Sequence, residues 1–336
     1  MPERAVLASE FLKASGWGMA NRTHLAGDAS DRRYERLRIG TATAVLMDAP
    51  PGQGDDPAKF VQIANHLLDL GLSAPKCYAS DLPNGFLLLE DLGDGIYARS
   101  VLADPSKQHR LYRAATDVLA RLQSHPPCLD LPDFLAMQWA QAAAFALDWY
   151  RFAITGTHVA HADFQGTLAD LLQRFADGPR VMILRDYHAE NLIWLPNRAG
   201  IARVGLLDFQ LAQMGQPAYD LVSLLQDARR DVSPIVEKAM KARFAAITGS
   251  EGAIFDTGYA VLGAQRALRI LGVFARLCLV AGKSAYLDMI PRVWGHLQRN
   301  LATPALAPLA KICAALLPEP TPQALAIIGS KCGHFR

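Results

Sequence analysis

The chain has 336 residues and a formal net charge of +2; 51% of its residues are hydrophobic and 20% are charged. This balance is typical of a folded globular protein and excludes a disordered or repetitive chain. A length above about 300 residues exceeds what one core normally supports, so it predicts two lobes or domains. The small net charge gives no reason to expect a nucleic-acid partner, and no feature of the sequence indicates an obligate protein partner.

The sequence shows neither a signal peptide nor a membrane span, and we therefore expect a cytoplasmic protein. The N-terminal stretch MPERAVLASEFL carries acidic residues and lacks the apolar segment of a signal peptide. The most apolar long stretch, Leu268 to Leu287, is interrupted by Arg269, Arg276 and Lys283, which favours a buried helix over a membrane span. The five cysteines are irregularly spaced without a CxxC pair, so reduced thiols are expected.

Residues 1–91 predict a small β-rich lobe. Alternating and apolar runs between residues 23 and 49 predict an antiparallel meander, with Ala44–Met47 as its central strand. Asp56-Pro57 is typical of a helix start, and Gly71 of a helix end. The expected elements are a helix over 3–15, the meander, a helix over 58–70, and strands over 74–80 and 86–90.

Residues 92–336 predict a larger, mostly helical lobe. Apolar residues at helical spacing predict helices over 107–123, 134–154, 168–176, 219–247 and 256–281. Two apolar runs, at 181–184 and 204–209, are too short for helices and predict strands. The fold class is therefore α+β with two lobes, 1–91 and 92–336, joined near Leu89–Gly93. A ligand would bind between the lobes, which is a common arrangement.

The segment that indicates chemistry reads Arg-Asp-Tyr-His-Ala-Glu-Asn over residues 185–191, and a second aspartate follows in Leu-Leu-Asp-Phe. Phosphoryl transfer needs a carboxylate that accepts the proton of the attacking hydroxyl, together with oxygen ligands for magnesium. Asp186 is the candidate catalytic base. Asn191 and Asp208 are the candidate Mg²⁺ ligands, because Mg²⁺ prefers a few hard oxygen ligands besides phosphate and water.

Each of these residues also has an ordinary structural interpretation. Asp followed by Asn five residues later is a common spacing, and Asp208 after an apolar run could simply begin a turn. The joint pattern favours the catalytic interpretation. It combines two apolar strands, Asp186 and Asn191 after the first strand, Asp208 at the end of the second, and a preceding β-rich lobe.

Over roughly its whole length the sequence resembles the aminoglycoside phosphotransferase and choline kinase superfamily, which has a protein-kinase-like fold. The matching segments are RDYHAEN, LLDF, PAYDL and LLLEDLG. The resemblance implies ATP and Mg²⁺ as cofactors and a small-molecule acceptor. It also implies that Asp220 supports the catalytic loop, and that the backbone of a linker containing Leu89, Glu90 and Leu92 holds the adenine.

A closer resemblance is to the cell-wall amino-sugar kinases. The matching stretches are GDASDRRYERL, VLMDAPPG, GFLLLEDLGD, YDLVSLLQD and LGVFARLCLVAGKSAYLDMIPRVWGHL. This resemblance implies phosphorylation of the anomeric hydroxyl of N-acetylmuramate or N-acetylglucosamine during peptidoglycan recycling. The alternatives are a kinase of another alcohol, such as an aminoglycoside, choline or another metabolite, and a pseudokinase that binds nucleotide without turnover.

The sequence departs from this family at the phosphate-binding lysine of the small lobe. Met47 or Asp48 stands where the lysine is expected. Arg32 or Arg33 could supply the missing charge, since arginine binds phosphate with two donors, or both could be solvent-facing strand residues. Ser30 and the backbone amides near it could also donate hydrogen bonds to phosphate oxygens.

Three residues are candidates for binding the acceptor. His188 either faces the sugar or braces the catalytic loop. Asp148 could accept hydrogen bonds from sugar hydroxyls. Arg266 lies on one helical stripe with Arg269 and Arg276, which is either a solvated face or a basic wall of the acceptor pocket. Such a basic wall favours a neutral or anionic acceptor over a cationic aminoglycoside.

Overall fold

The computed structural model describes residues 3–26, 32–52, 54, 56–250 and 252–335. These residues divide into two compact units. Unit 1 contains residues up to Leu129 together with Leu184–Ala212, and unit 2 contains Asp130–Ile183 together with residues from Gln213 onwards. Within these ranges no helix is long and apolar enough to cross a membrane.

The strands, in chain order, are β1 (Asn21–Ala26), β2 (Arg33–Ile39), β3 (Ala42–Asp48), β4 (Cys77–Asp81), β5 (Phe86–Glu90), β6 (Val181–Ile183), β7 (Leu192–Trp194), β8 (Val204–Leu206) and β9 (Gln213–Gly215). In unit 1, β1 to β5 form an antiparallel sheet in the order β1-β2-β3-β5-β4. The strand predicted to be central, β3, lies in the middle of this sheet.

The helices, in chain order, are α1 (Arg4–Ala14), α2 (Pro57–Asp69), α3 (Tyr97–Ala103), α4 (Gln108–Gln123), α5 (Ala136–Ala143), α6 (Phe152–Thr155), α7 (Ala162–Phe175), α8 (Tyr219–Leu225), α9 (Pro234–Thr248), α10 (Ala253–Ala281), α11 (Ile290–Leu301), α12 (Ala307–Leu316) and α13 (Pro322–Gly329). A π-helical turn, Ala146–Arg151, separates α5 from α6. The α+β class predicted from the sequence is confirmed.

Both faces of β3 are covered, which explains its continuous apolar sequence. Ala44 and Leu46 face α1, where Phe11 and Leu12 are buried against the sheet. Val45 points the other way and lines a cleft. Because side chains alternate along a strand, neighbouring residues of β3 serve the core and the cleft in turn.

A short antiparallel hairpin, β7 with β8, lies within unit 1 between the segment 185–191 and Asp208. Leu192 pairs with Leu206, and Trp194 pairs with Val204. The hairpin is joined to the rest of unit 1 by a backbone hydrogen bond from Leu206 to Ser73 (2.8 Å) and another from Trp194 to Gly95 (2.7 Å). A Cβ on Gly95 would lie 2.5 Å from the Trp194 carbonyl oxygen, so only glycine permits this approach.

Unit 2 is built around the long helix α10. Gly258 and Gly272 allow it to pack closely, since a Cβ at either position would lie within 2.5 Å of the Phe175 or Phe145 backbone. The short strands β6 and β9 pair antiparallel in the same unit. The Trp139 ring lies 4.8 Å from the Tyr219 ring, which fixes the start of α8 against α5.

Three local expectations differ from the structure. The helix predicted over 134–154 contains the π-helical turn, and the helix predicted over 219–247 is interrupted between α8 and α9. The interruption has a local cause, because Pro234 disfavours a helical conformation in Ser233, which is extended (ψ 132°). The compact units also do not follow the predicted division at residues 91 and 92, because residues 92–129 and 184–212 belong to unit 1.

Candidate active site

The loop between β6 and β7 holds Asp186 through backbone hydrogen bonds and one unusual backbone conformation. Arg185 has φ +70°, which a non-glycine residue adopts only when its surroundings enforce it. The Asp186 amide donates to the Leu184 carbonyl (2.9 Å), and the His188 amide donates to the Asp186 carbonyl (3.2 Å). These bonds make a tight turn in which Asp186 is partly exposed.

The side chains of Asn191 and Asp208 lie together beside the backbone of Asp186, which is not among the described residues that line the cleft. The Asn191 Nδ2 atom donates to the Asp186 backbone carbonyl at 2.9 Å and lies 3.4 Å from Asp208 Oδ2. Asp208 has φ +56° and directs a side chain that is 42% exposed into the cleft. Its other oxygen, Oδ1, accepts a hydrogen bond from Gln210 Nε2 at 2.8 Å. Asp186, Asn191 and Asp208 therefore form one site in unit 1.

Buried aromatic residues on either side of these positions hold the site to unit 1. The Tyr187 hydroxyl donates to the Ala115 carbonyl of α4 at 2.8 Å. The Phe209 ring stacks on Phe60 of α2, with centroids 4.9 Å apart. Because Tyr187 follows Asp186 and Phe209 follows Asp208, these contacts anchor the backbone at both aspartates.

The substitution Tyr187→Phe is expected to lower the free energy of unfolding by about 1 kcal/mol, because it removes one buried hydrogen bond while keeping the ring. Urea denaturation measures this change, and Tyr78→Phe, at a largely exposed tyrosine, is the control. Equal stability of Tyr187→Phe and the control would contradict an anchoring role for the hydroxyl.

The structure separates the two candidate arginines. Arg32 is only 5% exposed, and its Nη2 atom lies 3.3 Å from Asp208 Oδ1. Arg33 is exposed at the start of β2, opposite Asp48, and is not among the described residues that line the cleft. Asp48, one of the two residues at the expected lysine position, forms an ion pair with Arg4 of α1. Ser30 lies outside the described residues.

A cleft of about 400 Å³ opens beside this site within unit 1, large enough for a small ligand. Its wall includes Leu89, Glu90 and Leu92 of the predicted linker, together with Asn191 and Asp208. Residues of the predicted linker and two of the predicted polar residues therefore line the same cleft.

Ion pairs hold this linker in place. Arg36 of β2 pairs with Asp91 (2.9 Å) and with Asp94 (2.9 Å). The Glu90 carboxylate pairs with Arg198, which follows β7 (2.5 Å). The side chains of these three acidic residues are thus directed to arginines, which restrain the linker at residues 90, 91 and 94.

The acceptor candidates occupy different environments. His188 is buried at 5% exposure and is not among the described residues lining the cleft, which fits bracing of the loop better than contact with a ligand there. Asp148 lies in the π-helical turn of unit 2, where one oxygen is 3.2 Å from His161 Nε2. Arg266 is buried in unit 2, whereas Arg276 is exposed and covers the Trp149 ring.

Sequence reasoning missed Gln210, Arg36 and Arg198. Gln210 directly follows the Asp-Phe pair, so its position beside Asp208 could have been anticipated from the short spacing. Arg198 pairs with a residue 108 positions away, and no local pattern indicates that contact. Arg36 was not singled out because it is one of several charged residues on a strand in which charged and apolar residues alternate.

The donor set fits a magnesium ion. Asn191 uses Nδ2 toward the Asp186 carbonyl, which leaves its Oδ1 atom for a cation beside the Asp208 carboxylate. No cluster of three or more His, Cys, Asp or Glu residues suited to a metal occurs in the part of the chain that is described. Two side-chain oxygens are nevertheless what Mg²⁺ needs when phosphate and water complete its octahedron.

Comparison with known proteins defines the family. Residues 22–262 match the phosphotransferase enzyme family, and the chain belongs to this family. The N-acetylmuramate/N-acetylglucosamine kinase of Caulobacter vibrioides is 40% identical, covering 91% of this chain and 95% of that protein. The protein of the same name from Pseudomonas aeruginosa is 34% identical, with 91% and 93% covered. The predicted relationship to these kinases is confirmed.

Solved structures confirm the protein-kinase-like fold. A choline/ethanolamine kinase family protein from Mesorhizobium loti superimposes with a TM-score of 0.61 at 14% identity, covering 97% of this chain and 99% of that chain. A GDP complex of an aminoglycoside 2'-phosphotransferase mutant gives a TM-score of 0.62 at 13% identity, covering 90% and 99%. At such low identity these similarities concern the fold alone.

Proposed function

We propose that this protein is an ATP- and Mg²⁺-dependent kinase that phosphorylates the anomeric hydroxyl of N-acetylmuramate or N-acetylglucosamine. The observation that carries the proposal is the position of Asn191, which contacts both the Asp186 backbone and the Asp208 carboxylate beside a cleft of suitable size. The names of relatives that match over nine-tenths of the chain support the amino-sugar acceptor. The five free cysteines fit a reducing, cytoplasmic location.

ATP would lie in the cleft of unit 1, with its adenine against Leu89, Glu90 and Leu92 and its phosphates toward Asp208. The ion pairs of Arg36 and Arg198 keep the linker in one conformation, so little ordering is needed when the base binds. Ser30 is proposed to donate to the phosphates. In this functional division, residues 1–91 hold the nucleotide, and residues 92–336 carry the catalytic loop and the acceptor site.

Asp186 would orient the acceptor hydroxyl and take its proton as the oxygen attacks the γ-phosphorus. The tight turn fixes the backbone of Asp186 before the substrate arrives, and such positioning lowers the barrier in phosphoryl transfer. Asn191 Oδ1 and Asp208 would hold Mg²⁺, which neutralises charge on the phosphates. Gln210 and Arg32 orient the Asp208 carboxylate from two sides.

Arg32 is proposed to replace the family's lysine. Arg32 is buried and lies two residues after Ser30, the proposed phosphate donor. It already pairs with Asp208, so it can reach both that carboxylate and a bound phosphate. The substitution Arg32→Met is expected to lower kcat/KM for ATP by about 10²-fold, the scale of losing one preorganised charge contact in a transition state. Steady-state kinetics with varied ATP measures this.

The neighbouring Arg33→Met is the matched control, because it removes the same charge from an exposed strand position. Its kcat/KM is expected to stay within about threefold of the wild type. If both variants lost activity equally, bulk charge rather than a defined contact would explain the effect, and the assignment of Arg32 would fail.

Release of ADP with a panel of acceptors tests the proposed function. N-acetylmuramate and N-acetylglucosamine should support turnover, while an aminoglycoside and choline should not. Turnover with the aminoglycoside or with choline, but with neither amino sugar, would replace the proposed acceptor by another alcohol. Binding of ATP without phosphorylation of any acceptor would favour a pseudokinase. His188 and Asp148 stay predicted acceptor contacts, to be tested by substitution in the same assay.

A further inference from the structure

Two cysteines of unit 2 lie side by side at the end of α10. Cys278 is in the last turn of that helix, and Cys332 follows α13, 54 positions further along the chain. The Cys332 thiol donates to the Cys278 carbonyl oxygen at 3.2 Å, and the side chains of the two residues also hydrogen-bond to each other. Two adjacent thiols can be oxidised to a disulfide within one chain, which an isolated thiol cannot.

The end of α10 explains why segment 331–335 is held there. The last carbonyl groups of a helix lack partners within the helix and need donors from elsewhere. The Gly333 amide donates to the Cys278 carbonyl at 3.0 Å, and the Phe335 amide donates to the Leu279 carbonyl at 3.1 Å. The segment therefore caps the helix, and this capping brings its cysteine onto Cys278.

Side chains of the same segment attach it to α6. The Lys331 Nζ atom donates to the Ala153 carbonyl at 2.5 Å, and the Phe335 ring packs edge-on against Phe152, with centroids 6.1 Å apart. Gly333 has φ +73°, a conformation that favours glycine, and it turns the chain between these two contacts. The cysteine that lies between the two contacts is thus fixed in position from both sides.

The two cysteines differ in accessibility, and this difference sets the order in which they react. Cys278 is fully buried, whereas Cys332 is half-buried. Burial, followed by the hydrogen bond and the charge of the Cys332 side chain, raises the pKa of the Cys278 thiol to about 12. Because the thiolate is the form that reacts with oxidants, a soluble oxidant reacts first with Cys332.

We propose that Cys278 and Cys332 are a redox-sensitive pair, which hydrogen peroxide converts into a disulfide that links segment 331–335 covalently to α10. Cys332 first reacts with the peroxide to give a sulfenic acid and one water. The Cys278 sulfur then attacks the Cys332 sulfur, and its proton leaves with the displaced hydroxide as a second water. Two thiols are oxidised and one peroxide is reduced, so atoms and electrons balance. Reversible disulfides of this kind occur in reducing compartments as redox sensors.

Peptide mapping tests the proposal on the wild-type protein. The protein is separated from reductant, treated with hydrogen peroxide, alkylated, and digested with trypsin without reduction. Trypsin cuts after Arg276, Lys283 and Lys331, so the two cysteines fall in separate peptides, 277–283 and 332–336. Mass spectrometry should find these peptides joined, with a mass two hydrogens below their sum, and dithiothreitol should separate them.

Thermal unfolding tests whether the disulfide forms within the native structure. A bridge between residues 54 positions apart restricts the unfolded chain, so oxidation should raise Tm by about 5 °C, and dithiothreitol should reverse the shift. Cys332→Ser should unfold at the Tm of the reduced wild type, because a hydroxyl can also donate to the Cys278 carbonyl. This variant should show no shift on oxidation, since serine cannot form the disulfide.

Cys77→Ser is the matched control, because Cys77 is also half-buried and its thiol lies 3.3 Å from a carbonyl oxygen, that of Ala79. It should retain the shift on oxidation. The inference is overturned if the two peptides stay separate and Cys332 is found as a sulfinic acid or bonded to a second molecule. It is also overturned if Cys332→Ser keeps the shift or Cys77→Ser loses it. These measurements do not use kinase activity, so they are independent of the proposed function.

Discussion

Asp186→Asn is expected to lower kcat by about 10²-fold or more, the scale of general-base catalysis, and to change the Kd for ATP by less than about threefold. Asparagine keeps the size of the side chain and the backbone turn at residues 184–188, but it cannot take the hydroxyl proton. A coupled assay of ADP release gives kcat, and isothermal titration with ATP gives Kd.

The control for this variant is Asp163→Asn, at an exposed position of α7 in unit 2. It removes the same charge and should retain wild-type kcat. Full turnover by Asp186→Asn would contradict the assignment of Asp186 as the catalytic base. A large loss of ATP affinity instead would mean that the substitution disturbs the nucleotide cleft.

Asp208→Asn is expected to lower kcat/KM by about 10²-fold or more at low magnesium, because a metal contributes several kcal/mol of charge stabilisation in such reactions. The variant removes the carboxylate that Asn191, Gln210 and Arg32 surround. Raising the concentration of Mg²⁺ should restore part of the activity, since the remaining oxygen ligands bind the ion more weakly. Initial rates across a Mg²⁺ titration measure the effect.

An unchanged Mg²⁺ dependence in Asp208→Asn would contradict the assignment of this residue as a metal ligand. The double variant Arg32→Met with Asp208→Asn adds a further check. Because the two side chains lie 3.3 Å apart, their effects should be non-additive. Strict additivity would indicate that the ion pair has no part in the function.

The catalytic loop could be predicted because its signal is local in sequence. Asp186 and Asn191 lie five residues apart in one loop, and Asp208 ends the next short apolar run. One hairpin, β7 with β8, suffices to bring the side chains of Asn191 and Asp208 together. The partner strands β7 and β9 were missed, although β6 and β8, which are equally short, were predicted from their apolar runs.

The choice between Arg32 and Arg33 could not be made from the sequence. Adjacent residues of an extended chain face opposite sides, so the strand register decides which arginine enters the cleft. Pairing of Arg33 with Asp48 at the edge of the β2–β3 ladder fixes that register. The alternation of charged and apolar residues in RRYERLRI did not reveal it.

The arginine stripe of α10 shows a different limit. Helical spacing predicted that Arg266 and Arg276 share one stripe, which is either a solvated face or a basic wall of the acceptor pocket, and both alternatives stay predictions. The stripe runs from a buried position at Arg266 to an exposed one at Arg276, because α10 is covered by α8 and α11 along only part of its length. Helical periodicity predicts on which side of the helix a side chain lies, but it does not predict which neighbouring elements bury that side chain.

The most direct test of the central claim is ³¹P NMR of the product formed from ATP, Mg²⁺ and N-acetylmuramate. The account predicts equimolar ADP and a new phosphomonoester resonance split by coupling to the anomeric proton, absent with Asp186→Asn. Inorganic phosphate as the sole product, or a phosphate coupled to another sugar position, would contradict it.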